Sequence, residues 1–222
     1  MTDLDIASNI SKFVSGDTQG GGIKPLERYS SFDYCFNHFQ SFREKDKIQD
    51  LIKTENAQLS CLQLGFYLAS WGMLRGSSFL LQKCLKVLQP IISIIASADE
   101  KLWSIDANTY TEENISLLLD LKKQLTEGFR PHGWASEILV TKIMLGVFGN
   151  VPAFDSYFKY GFGVSVFGKK ALSRIRTFYQ ENQTIIEENR KFTLDFNTGG
   201  PTHRRYSRAK VIDMIFFIQG GK

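Results

Sequence analysis

Cysteine and histidine are scarce in this chain, and their scarcity excludes whole classes of chemistry. The three cysteines, Cys35, Cys61 and Cys84, form no CxxC and leave at least one unpaired in any disulfide scheme. The three histidines, His38, His132 and His203, stand at neither i,i+3 nor i,i+4 spacing. A disulfide framework and a structural zinc site are both unsupported, and no metal or other cofactor is expected. An excess of one charge is also missing. Twenty-seven Lys and Arg against 23 Asp and Glu give a net charge of +4. So small a balance neither demands nor forbids a polyanionic partner, and the placement of the charges has to decide. No long hydrophobic run exists either. The most apolar stretch, 85–98, is broken by Lys86, Gln89 and Pro90, too short and too interrupted to cross a bilayer. The opening Met1-Thr-Asp-Leu-Asp lacks the positive and apolar regions of a secretory signal. The expectation is a cytoplasmic protein with reduced thiols and no membrane partner.

What is present is an ordinary globular composition, 43% hydrophobic and 23% charged. The length fits one domain, 1–222, divisible into two lobes at about 1–130 and 131–222. Apolar spacings of three and four recur throughout, so the fold class is all-α. A short amphipathic helix is expected over 4–14, and a second opens near Ser31, read as a cap, and holds Tyr34, Phe36 and Phe39. A charged surface helix is expected over 43–53. Two buried helices follow over 56–97, with a bend near Gly72–Gly76 and Pro90 kinking the second or starting a helix. Early acids, a leucine stripe and Gly128 delimit a helix at 111–127. Further helices are expected over 136–148, after Asp155, over 168–192, and over about 204–219, with a loop at 197–201. There is no internal repeat and no low-complexity linker.

Several motifs carry chemistry. Gly163-Val-Ser-Val-Phe-Gly168-Lys169-Lys170 approaches the phosphate-binding loop but ends in Lys170, where a magnesium-binding hydroxyl is needed, and follows no strand. Lys169, Lys170 and Arg174 then read as a basic helix start, against the helix dipole, suited to an anionic partner or to a plain solvated surface. Trp71-Gly-Met-Leu-Arg75-Gly lies in the most apolar region; Arg75 there needs a partner, either in a buried clamp or, with Trp71, in a pocket for a planar base. In Ser136–Phe148 a helical wheel surrounds Lys142 with Ile138, Leu139, Leu145 and Gly146. Desolvation favours the neutral, nucleophilic form of an amine so placed; the alternative is a stem along the core and an ammonium reaching water. Asp155, thirteen residues on, reads as a helix N-cap, a role compatible with activating a water or stabilising positive charge on a sugar.

Thr141-Lys142 on an apolar helix, then Val151-Pro152, then Asp155 opening a helix resembles the helix-hairpin-helix DNA glycosylase superfamily. The resemblance covers about 134–162 in an all-α setting. It implies that Lys142 is the nucleophile and Asp155 the shared carboxylate. The target base would be extruded from DNA into a pocket for which Trp71, Arg75, Trp134 and Phe154 are candidates. Phosphates would be held by Lys169, Lys170 and Arg174, or by the run His203, Arg204, Arg205, Arg208 and Lys210. The family's glycine-bearing hairpin has no counterpart in Trp134-Ala-Ser-Glu-Ile-Leu-Val, and the Pro-to-Asp interval is one residue longer than usual. The implied activity is excision of a damaged or modified base, including a hypermodified base of foreign DNA, by a monomer that needs no cofactor. Two other readings stay open: a non-catalytic DNA- or protein-binding helical module, and a small-molecule binder using 71–78.

Overall fold

The computed structural model describes residues 4–16 and 22–221. Ten α-helices and one two-stranded hairpin are found among them. Helix α1 spans Ile6–Ser15; Asp5 caps its start and Gly16, at φ 84°, ends it. Helix α2, Ser31–Arg43, begins at Ser31 without a side-chain cap, so the expected capping role of Ser31 is not found. The charged stretch 43–53 is not a surface helix. Asp46 takes a positive φ of 53°, and the chain then tightens into a 3-10 turn at Ile48–Ile52 that buries Leu51.

Helix α3, Thr54–Ser70, stops where Gly72 and Gly76 both adopt left-handed backbone, a conformation cheap only for glycine. The segment beyond is not one long helix. Two 3-10 turns, Phe79–Gln82 and Leu85–Leu88, lead into α4, Gln89–Ala96, with Pro90 in its first turn, where a missing N–H costs nothing. Helix α5, Glu112–Phe129, is capped by Thr111, has Glu112 and Glu113 in its first turn, and runs through Gly128 to Phe129.

Helix α6, Glu137–Phe148, is capped by Ser136 and closed by Gly149 at φ 68°. Helix α7, Ser156–Phe162, is capped by Asp155 and closed by Gly163. The expected helix over 168–192 is two: α8, Lys169–Glu181, and α9, Gln183–Glu188. Asn182 separates them, leaving helical backbone at φ −123° while its side-chain amide and its own N–H both donate to the Phe178 carbonyl. Strands β1, Phe192–Leu194, and β2, Pro201–Arg205, form an antiparallel hairpin where a loop and a helix start were expected. Helix α10, Arg208–Gly220, therefore begins later than expected, with Ser207 as its cap.

One continuous core joins these elements. Helix α1 packs on α10, with the Asn9 amide donating to the Ile215 carbonyl at 3.2 Å. Helices α7 and α10 cross closely at Gly161 and Gly220, where an added Cβ would meet the backbone of Phe216 and of Tyr157. Helix α6 is covered by α2, α3 and α5, and every residue from Leu139 to Phe148 is buried.

Candidate active site

Lys142 owes its position to α6. It lies on a helix buried on every side, and it is 4% exposed. The chain after Gly149 is tied down at each step. The Asn150 carbonyl accepts from the Tyr110 hydroxyl at 2.6 Å, and the Asn150 amide donates to the Leu102 carbonyl. The Phe154 N–H donates to Thr141 Oγ1 at 3.0 Å, and the Ala153 N–H to Asp213 Oδ1 at 3.0 Å. So pinned, the segment 151–155 delivers Asp155 to the lysine: Nζ lies 3.2 Å from Oδ2. The other oxygen, Oδ1, caps α7 by accepting the Phe158 N–H at 3.0 Å. The cap and the ion pair thus use different oxygens of one carboxylate.

A second ion pair lies beside the first. Lys210 and Asp213, one turn apart on α10, meet at 3.0 Å with both side chains buried. The Lys142 ammonium stands 5.1 Å from the centre of the Trp71 ring and the Lys210 ammonium 5.4 Å from it. Lys210 also lies 4.7 Å from the Phe32 ring and 4.8 Å from that of Phe13. Ring faces attract cations most where water is excluded, so the aromatic shell offsets part of the cost of burying two ammoniums. Burial raises the Asp213 carboxyl above the usual range; Lys210 and Lys142 oppose that shift and Asp155 adds to it. Nearby, Asp33 accepts from the Tyr206 hydroxyl at 2.6 Å and from the Leu194 N–H at 2.9 Å. Burial lifts its carboxyl from 3.8 to about 7, against the pull of those bonds and of Lys210.

Of the four residues expected around a base, Trp71 alone stands against the pair. Its ring stacks on Tyr29 at 5.1 Å, and the Arg28 guanidinium lies 5.6 Å from it. Its Nε1 is buried without a hydrogen-bond partner among the described residues, so stacking and cations hold the ring. Arg75 is exposed rather than clamped in the core, because the two left-handed glycines carry the chain out to the surface. Trp134 is 81% exposed on the loop before α6. Phe154 is fully buried, packed on Phe158 and Phe167. Gly146, beside Lys142 on the helical wheel, is covered by the Tyr67 ring.

The cations expected to meet phosphate divide into two sets. Lys169 pairs with Glu112, Lys170 is exposed, and Arg174 donates to the Gly163 and Phe162 carbonyls that end α7. Arg204 is held by both oxygens of Glu44, and Arg208 by Glu187 and Asp106. Lys210 is buried. Arg205 and His203 are exposed on β2. In the sequence Lys210 reads only as part of the phosphate-holding run and Asp213 goes unread, although a Lys-x-x-Asp spacing within Ala-Lys-Val-Ile-Asp-Met-Ile-Phe-Phe carries the signal that singles out Lys142. Comparison with family models, with characterised proteins and with solved structures finds no match to this chain. No helix among the described residues is long and apolar enough to cross a membrane, and none of these residues form a cluster suited to a metal ion.

Proposed function

We propose that this protein is a DNA N-glycosylase-like enzyme that excises a damaged or modified base, with Lys142 and Asp155 as its reacting groups. The observation that carries the reading is the 3.2 Å approach of the Lys142 amine to Asp155 Oδ2 beside the Trp71 ring, with little of either side chain in contact with water. In this chemistry Asp155 takes the ammonium proton through Oδ2. The freed amine attacks C1′ as the C1′–N bond breaks, and the electron pair leaves with the base, which gains a proton. Opening of the sugar then gives a Schiff base on Nζ. Alternatively, Asp155 stabilises positive charge at C1′ while a water attacks. An extruded base beside Trp71 would stack on an indole held by no hydrogen bond.

Borohydride trapping on duplexes carrying deaminated, oxidised, alkylated or hypermodified bases tests the proposal. A covalent protein–DNA adduct lost in Lys142→Gln, and base release slowed at least about a hundredfold in Asp155→Asn, are the expected results. Base release unchanged in Asp155→Asn would overturn the assignment. The closed ion pair, with Asp155 also capping a helix, favours one second reading: a non-catalytic DNA- or protein-binding module in which the pair is structural. That reading predicts salt-sensitive binding with no base released from any substrate.

A further inference from the structure

A surface cavity of about 470 Å³ opens between the segment 25–28, the start of α2, the outer face of α3 and the tip of the hairpin. Neither Lys142 nor Asp155 lines it. Its volume falls within the range of small-ligand sites. Its walls are unusual for a solvated surface. Phe66 is 69% exposed and Phe196 71% exposed, and both face the cavity. Tyr34 meets Phe196 edge to face, with centroids 5.1 Å apart, and donates its hydroxyl to the Pro25 carbonyl. An apolar body with a few polar groups set into it is the make-up of a ligand site.

Two further observations point to an occupant. Ser31 lines the cavity, is 4% exposed, and its hydroxyl has no hydrogen-bond partner among the described residues. An unsatisfied buried hydroxyl is costly, and an acceptor or donor on a ligand would satisfy it. The hairpin that supplies Phe196 also alternates exposed rings and cations. Arg205 lies 5.0 Å over the exposed Phe192 ring, Lys191 is exposed next to that ring in sequence, and His203, on the strand of Arg205, is exposed 3.5 Å from Glu44. Flat rings interleaved with cations suit a strand whose bases stack while its phosphates are neutralised. An apolar peptide would use the rings and leave the cations and the Ser31 hydroxyl without a purpose.

From these features we infer that the cavity binds an unpaired nucleobase of a DNA strand, a subsite separate from Lys142–Asp155. The base stacks on Phe196 and Phe66 and bonds to the Ser31 hydroxyl. The adjoining backbone runs along the hairpin past Arg205. Arg28 and Trp71 form the partition between the two sites: Arg28 lines the cavity and covers the ring that faces Lys142. The inference deepens the glycosylase reading by naming unpaired or locally opened DNA as the substrate form, although the binding site itself needs no catalysis.

The test is equilibrium titration of the full chain with a roughly twelve-nucleotide single strand carrying 2-aminopurine at its centre. The fluorescence of that base falls when it stacks. Wild type is expected to bind with quenching, and Phe66→Ala and Phe196→Ala to weaken binding about tenfold each, the loss of one base–ring stack. Phe196→Trp should restore it. Both phenylalanines are exposed, so thermal melting should match wild type. Failure of the strand to bind, wild-type affinity in both alanine variants, or equal binding when the central base is removed overturns the inference. Ring-dependent binding without any borohydride adduct or base release would leave the subsite standing and defeat the glycosylase reading. Base release with indifference to Phe66 and Phe196 would do the reverse.

Discussion

Lys142 and Asp155 form one contact on which the fold leans and on which the proposed chemistry would draw. Removing the amine leaves a largely buried carboxylate unpaired, and breaking such a pair costs roughly 3 kcal/mol. Lys142→Gln should therefore lower the thermal midpoint as well as abolish adduct formation. Replacing both partners together, as Lys142→Met with Asp155→Asn, should recover much of the lost stability, because no uncompensated charge is left. Chemical denaturation of the single and double variants measures the difference. At Asp33 the sign of the pH effect is set by burial. Its folded carboxyl titrates at about 7 rather than 3.8. The folded state thus keeps a proton that the unfolded chain releases across this window. Its contribution to stability is full below about pH 3.8 and is lost as the pH rises through about 7. Asp33→Asn should flatten that portion of a melting-temperature profile.

Helices legible in the sequence are those whose ends and faces agree. Helix α6 has Ser136 before it, Gly149 after it and an unbroken apolar run between; α7 has Asp155 and Gly163. Those same signals place Lys142 midway along α6 and Asp155 at the start of α7, joined by a short pinned segment, which is why their meeting was foreseeable. Elements decided by distant partners were not foreseeable. The hairpin exists because Thr193 bonds to Asn37 and the Leu194 N–H finds Asp33, contacts about 160 residues away in sequence. The buried Lys210–Asp213 pair was hidden because charge density near 203–210 reads as a surface, whereas Glu44, Glu187, Asp106 and Asp213 each claim one of its cations. At the level of helix packing, Gly161→Ala should be among the most damaging small substitutions. The added methyl meets the Phe216 backbone, which has no rotamer with which to yield. A loss of about 2 kcal/mol is expected, as for overpacked cores, with denaturant midpoints as the measure. Asp213→Asn should weaken the hold on the Ala153 N–H and slow any Lys142-dependent reaction without touching the reacting atoms.

For the whole molecule, the balance of charge bears on how the proposed strand would first be attracted. The +4 excess is modest, and most of the cations in the dense basic run are already matched by acids. Binding should weaken as salt rises, with a slope set by the few free cations. Arg205→Glu should lower affinity more than the same change at Arg75, because Arg75 neither lines the cavity nor belongs to the hairpin. Titrations at several salt concentrations distinguish the two. No membrane-spanning helix is found among the described residues, and the largely helical architecture agrees with the periodicity of the sequence.

The paired arrangement of the four buried charges has an electrical consequence. Two ammoniums set against two carboxylates sum to nothing when viewed from a distance, so the interior is nearly silent to an approaching polyanion. Attraction of a strand would have to come from the rim, and the amine proposed to react would acquire a voice only after its carboxylate had been drawn into other work.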